Sequence, residues 1–118
     1  MTPLQHASTA DRIMESLGRL APSHHEMAIE AAMLAGTHML NAVLHLKGIT
    51  PADADVLHAE YMTLALRTRV QLSLPGLVEA LDEIEQMRPL FVRGSVDGGQ
   101  AAADRALELF AFIRRMAE

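Results

Sequence analysis

The stretch Ala31-Ala-Met-Leu-Ala-Gly-Thr-His-Met-Leu-Asn-Ala-Val-Leu-His-Leu46 decides the fold. It contains no formal charge and no proline, and only Thr37 and Val43 are β-branched. Ala, Leu and Met lose little side-chain freedom in a helix, so the stretch reads as helix interior. At 100° per residue from Glu30, Thr37, Asn41, His45 and His38 fall at about −20°, 20°, 60° and 80°. They form one polar stripe on an otherwise apolar cylinder. A surface helix carries Lys, Glu and Arg on its solvent face. This one carries none, so burial on most sides is expected, within a bundle or at a subunit interface. At sixteen residues with four polar groups it is too short and too polar for a membrane span of roughly 20 apolar residues.

The rest of the 118 residues share the bias. Ala and Leu supply 36 positions against 11 for Val and Ile, with three Phe, one Tyr and no Trp. Strands recruit β-branched and aromatic side chains, so a β-sandwich or barrel is excluded. Half the chain is hydrophobic and 21% is charged, which argues for a folded core over disorder. The absence of Cys excludes disulfides, a thiolate zinc site and a Cys nucleophile. A net charge of −5, with one Lys among nine Arg, lacks the positive field that drives non-specific nucleic-acid binding. A local Arg cluster keeps a phosphate contact open. The first twenty residues lack a basic start followed by an apolar run, so no signal peptide is read. One domain over residues 1–118, soluble, cytoplasmic and without membrane association, is the expectation.

Capping signals outline the helices. Ser8-Thr-Ala-Asp11 predicts a short first helix from about Thr9 to Leu20, stopped by Pro22. Ser23-His-His-Glu26 is a second capping box, and Lys47-Gly48 closes the helix it opens. Thr50-Pro51-Ala-Asp53 predicts a third helix running to about Leu72. Leu74-Pro75-Gly76 breaks it, and a fourth follows from about Pro75 to Val92, kinked or ended near Pro89. After the loop Gly94-Ser-Val-Asp-Gly-Gly99, a last helix spans about Gln100 to Met116. Long helices with short connections pack most simply as an antiparallel up-and-down four-helix bundle, here with room for a short extra N-terminal helix. The expected class is all-α.

Folding the second and third helices into a hairpin pairs residues whose numbers sum to roughly 98. His58 then lies level with Asn41 and His38, on one side of its helix with Tyr61, while Arg67 and Arg69 lie level with Glu30. Glu30, Thr37, His38, Asn41, His45, His58, Tyr61, Arg67 and Arg69 are therefore the candidate ligand-binding or interface residues. They either satisfy one another as core polar groups or line a pocket. No metal site is expected. His38 and His45 lie about 10 Å apart along the axis, and no HExxH or Glu-x-x-His pair occurs. His24-His25 read as a solvated turn, and His6 as part of a frayed terminus. No GxGxxG, Walker or GxSxG motif occurs, so no catalytic residue and no cofactor is assigned.

Two stretches resemble the HEPN superfamily of small, usually dimeric all-α domains. The first is Ala31 to Gly48 with the following Ile49-Thr-Pro51 and Asp55-Val-Leu-His58; the second is Ile84-Glu-Gln-Met-Arg-Pro-Leu-Phe-Val-Arg-Gly94 with Ala103-Asp-Arg-Ala-Leu-Glu-Leu-Phe110. The resemblance implies a homodimer. Ribonuclease members carry Arg-x(4–6)-His, whereas here Arg88 is followed by Arg93 and no His comes after it. Arg stays charged and cannot shuttle protons. The resemblance therefore implies a non-catalytic module that binds a small, nucleotide-like or anionic ligand or a protein partner, with Arg88 and Arg93 as anion contacts. Two alternatives stand beside it. One is an enzyme using His38, His45 or His58 as general base, oriented by Glu30 or Tyr61; the other is an RNA binder using Arg67, Arg69, Arg88, Arg93 and Arg105.

Overall fold

The computed structural model describes residues 1–21 and 23–118. Five α-helices make up the framework, with no strand among the described residues: α1 (Pro3–Leu17), α2 (His25–Leu46), α3 (Leu64–Ser73), α4 (Leu77–Met87) and α5 (Gly99–Arg115). The helix that carries the uncharged stretch, α2, is the axis of the fold. Thirteen of the 22 residues of α2 are buried, and the helix packs against α1, α5 and α4. Ile29, Leu40, Val43 and Leu44 of α2 meet Leu77, Leu81 and Ile84 of α4 and Ile113 of α5 in one core. Each such side chain, fully buried, contributes about 1.5–3 kcal/mol. At 22 residues, with a mean hydropathy of 1.3 over its most apolar window, α2 is by length and composition long enough to cross a membrane, contrary to the sequence expectation. Two thirds of that window is buried inside the protein, which accounts for its apolarity.

The end of α2 follows its local signals: Lys47 caps it and Gly48 turns left-handed at φ 68°. The start does not. His24 is the N-cap, no side chain caps the helix, and the Ser23–Glu26 box is not formed. His25 is no solvated turn either; its half-buried ring lies over Gly99, leaving no room there for a Cβ. The first helix also starts earlier than expected. Thr2 and Gln5 form a reciprocal capping box with Pro3 at the first helical position, so Ser8–Asp11 sits inside α1. The helix ends at Leu17, and the expected stop at Pro22 lies outside the described residues.

The largest correction concerns the third helix. Residues 51–58 hold a turn and extended chain, followed by a 3-10 turn (Ala59–Tyr61), and α3 starts only after Thr63, whose hydroxyl accepts from Leu66 N–H. α3 lies against α4 rather than α2. At the other break, Gly76 takes φ 89° against the Phe112 ring and opens α4. The α-helical part of α4 ends at Met87, as the sequence expects near Pro89, but the chain goes on winding past it. Lacking an N–H for the carbonyl of Glu85, Pro89 widens the chain into a π-helical turn (Arg88–Val92) closed by Arg93 N–H to Arg88 C=O, 2.9 Å.

Candidate functional site

Asn41, only 1% exposed, explains why residues 51–58 are not helical. Its Oδ1 accepts from Val56 N–H at 2.7 Å and its Nδ2 donates to Val56 C=O at 2.7 Å. The same amide nitrogen donates to Thr37 C=O at 2.9 Å. The side chain thus pairs with both backbone groups of one residue, as a neighbouring strand would. The clamp pins the extended segment to α2 and sets Asp55 among three imidazoles.

His6 of α1 is 1% exposed and lies between the two α2 histidines, its ring centroid 5.2 Å from each of His38 and His45. Its Nε2 is 2.9 Å from Asp55 Oδ1, and its Nδ1 is 2.9 Å from His38 Nδ1. His45 Nε2 reaches the same Asp55 Oδ1 at 2.8 Å. Its Nδ1 lies 2.8 Å from Thr50 Oγ1 and 3.1 Å from Thr50 C=O. The Met1 ammonium, 3.3 Å from Asp55 Oδ2, covers the outer oxygen.

Proton positions follow from the acceptors. Burial of Asp55 opposes its ionisation, but hydrogen bonds from His45 and His6 outweigh that and hold its pKa at about 2. An ionised carboxylate only accepts, so His6 and His45 both carry a proton on Nε2. When His6 is the neutral Nε2–H tautomer its Nδ1 is bare and accepts from His38 Nδ1–H, the two nitrogens lying 2.9 Å apart. That leaves His38 Nε2 with a free lone pair. Burial lowers the pKa of His38, as does the positive charge of His6 when that ring is protonated, and both favour a neutral His38.

A cavity of about 300 Å³ opens onto this chain. His6, Thr37, His38, Asn41, Asp55 and His58 are its polar lining, and Met33, Leu34, Val56 and Leu57 its apolar one. Two other hollows differ in character. One, about 600 Å³ between α4 and α5, has no imidazole and pairs its Arg105 with Glu83 and Glu108. A third, about 280 Å³, joins His58 and Tyr61 to Arg88 and Arg93, but also carries Glu60, Asp82 and Glu85.

Of the residues singled out by sequence, Thr37, His38, Asn41, His45 and His58 do gather around one site. Thr37 Oγ1–H donates to Met33 C=O at 2.8 Å, so towards the cavity the hydroxyl can only accept. His58 stands at the rim, 3.7 Å from Glu85 and edge-on to the exposed ring of Tyr61. The expected level of Arg67 and Arg69 with Glu30 does not occur, because the chain opposite α2 is not a continuous helix. Arg67 forks onto Asp82 at 2.7 and 3.2 Å and also donates to Ala59 C=O. Arg69 reaches the carbonyls of Ile49 and Gly48. Glu30 instead accepts from Arg88 Nε at 2.6 Å. Arg93 makes no ion pair among the described residues.

Two central members, His6 and Asp55, were not singled out. The Thr2-Pro3-Leu-Gln5 capping box could have placed His6 inside a helix. Nothing local marks Asp55, whose position depends on the bond between its neighbour Val56 and Asn41, fifteen residues apart. No family model, no curated protein and no solved structure matches the chain.

Proposed function

We propose that this chain is a non-catalytic, HEPN-like binding module, active as a homodimer in the cytoplasm, whose ligand occupies the cavity beside His38. The carrying observation is the His38 ring on a small, partly apolar hollow, its Nδ1 engaged by His6 and its Nε2 without a hydrogen-bond partner among the described residues. In this reading α1, α2, α4 and α5 are the members of an antiparallel up-and-down four-helix bundle, and α3 is an accessory. A volume of about 300 Å³ lies at the low end of small-molecule sites, enough for a nucleobase-sized group but not a whole nucleotide. The Asp55 carboxylate disfavours an anion here, and His38 Nε2 favours a ligand that donates a hydrogen bond. Arg93, with Arg88 beside it, is the contact for any anionic extension or for an acidic protein partner. Exposed Leu34 and Leu57 on the cavity rim supply an apolar surface for the second subunit. The test is a nucleobase and small-heterocycle fragment screen followed on the histidine ring signals. Binders should move His38 and His58 and lose about tenfold or more in affinity in His38→Ala. A screen in which no fragment moves either ring contradicts the proposal.

A second reading, a general-base enzyme, is favoured by the chain Asp55–His6–His38. Asp55 acting through His6, rather than Glu30 or Tyr61, would orient His38 to take a proton at Nε2. The RNA reading has less to stand on, since Arg67, Arg88 and Arg105 are each engaged by a carboxylate.

A further inference from the structure

We infer that His6, His45 and Asp55 form a binding site for a divalent transition-metal ion of the zinc class. The inference is independent of the cavity's ligand and stands whether or not that ligand exists. Three donors from three separate segments converge. His6 Nε2 and His45 Nε2 each approach Asp55 Oδ1, and all three atoms lie within 4.8 Å of one another. Both histidine side chains are only 2% exposed, so the rings are held by packing and cannot swing into solvent. Asp55 is 27% exposed, and on its outer side it faces the half-exposed Met1 ammonium, 3.3 Å from Oδ2 and 3.5 Å from Oδ1, which a bound cation displaces.

The second observation is what lies behind the rings. A metal-ligating imidazole donates its other N–H to an acceptor, which fixes its orientation. His45 Nδ1 has the Thr50 carbonyl at 3.1 Å, and His6 Nδ1 has His38 Nδ1 at 2.9 Å. Both rings can therefore present Nε2 to an ion while Nδ1–H stays satisfied. Bonds of about 2.0–2.1 Å at tetrahedral angles put neighbouring donors about 3.3 Å apart. The present 2.8 and 2.9 Å separations need an opening of about half an ångström, within reach of a carboxylate on an extended segment. Two imidazoles and one carboxylate suit zinc, cobalt, nickel or copper over magnesium or calcium, which prefer all-oxygen sites. Water takes the fourth position.

Loading balances in protons. On His6 and His45 the proton leaves Nε2 and is replaced at Nδ1, so each ring stays neutral as its tautomer changes. His6 Nδ1–H then donates to His38, whose own proton moves from Nδ1 to Nε2. The ion thereby converts His38 from an acceptor to a donor on the cavity wall.

The experiment uses the full chain, stripped with chelator and titrated with Zn²⁺ and, in parallel, Co²⁺. One ion should bind per chain, raising the melting temperature, with Co²⁺ giving the visible bands of a low-coordinate nitrogen–oxygen site. Asp55→Asn and His6→Gln should lose about 100-fold or more in affinity, and His38→Ala about tenfold. The double variant His24→Ala/His25→Ala should bind normally. Ring nitrogen NMR on the unaltered protein gives a readout that does not depend on variants folding. Zn²⁺ should turn His6 and His45 into Nε2-ligated, Nδ1-protonated rings. The inference is overturned if Zn²⁺ leaves those two rings unchanged, if affinity survives Asp55→Asn, or if binding is lost in the His24/His25 variant instead.

Discussion

Asn41 ties α2 to the segment that carries Asp55. Its side chain satisfies both backbone groups of Val56, and the clamp holds Asp55 where His6 and His45 can share its Oδ1. Asn41→Ala leaves that N–H and C=O without partners and should cost about 2–4 kcal/mol in urea unfolding. It should also loosen His6, seen as faster exchange of its ring proton. Asp55 adds a pH dependence to the metal-free protein. Its folded pKa, about 2, is below the ordinary value of 3.8, so its contribution is full above that ordinary value. The contribution is lost as pH falls through about 2, because the unfolded chain takes up the proton first. His38 acts in the same direction at higher pH, since its lowered pKa favours protonation in the unfolded chain below 6.5. In metal-free protein, Asp55→Asn should flatten the acid limb of the stability curve while leaving the fall that starts near 6.5. At this scale the α2 stripe was legible, because helical spacing alone brings His38, Asn41 and His45 to one side. Its partners were not, since a bond from residue 6 to residue 55 has no local signature.

Element boundaries divide along the same line. The end of α2 at Lys47-Gly48, the break at Gly76 and the start of α5 at Gly99 follow from residues within a few positions of each. Thr50-Pro51-Ala-Asp53 has the same quality of local signal and still opens no helix. Thr50 is engaged by His45, Asp55 by two imidazoles and Val56 by Asn41, and these contacts outweigh one helical start. Propensity decides where no tertiary contact competes. The Gly76 turn offers a check at this scale. Its φ of 89° and the Phe112 ring 3.1 Å from the place of a Cβ mean that Gly76→Ala adds backbone strain and crowding together. It should destabilise the protein by about 1–3 kcal/mol in thermal unfolding, whereas Gly48→Ala, with open space around it, should cost less.

For the whole molecule, the all-α class was legible because Ala and Leu dominate and aromatics are scarce. The arrangement around α2 was legible in outline, from sixteen residues without charge. What covers the exposed leucines was not. If the proposed homodimer forms through the cavity rim, sedimentation equilibrium should give twice the chain mass, and Leu57→Glu should return it to one. A single-chain mass for the unaltered protein contradicts the dimer. The central claim is that His6, His38, His45 and Asp55 are one ordered hydrogen-bonded unit, and ring nitrogen NMR of the metal-free protein at pH 8 tests it most directly. The account predicts Nε2–H on His6 and His45 and the less common Nδ1–H tautomer on His38, with its Nε2 bare. Rapidly exchanging rings, or His38 carrying its proton on Nε2, would contradict it.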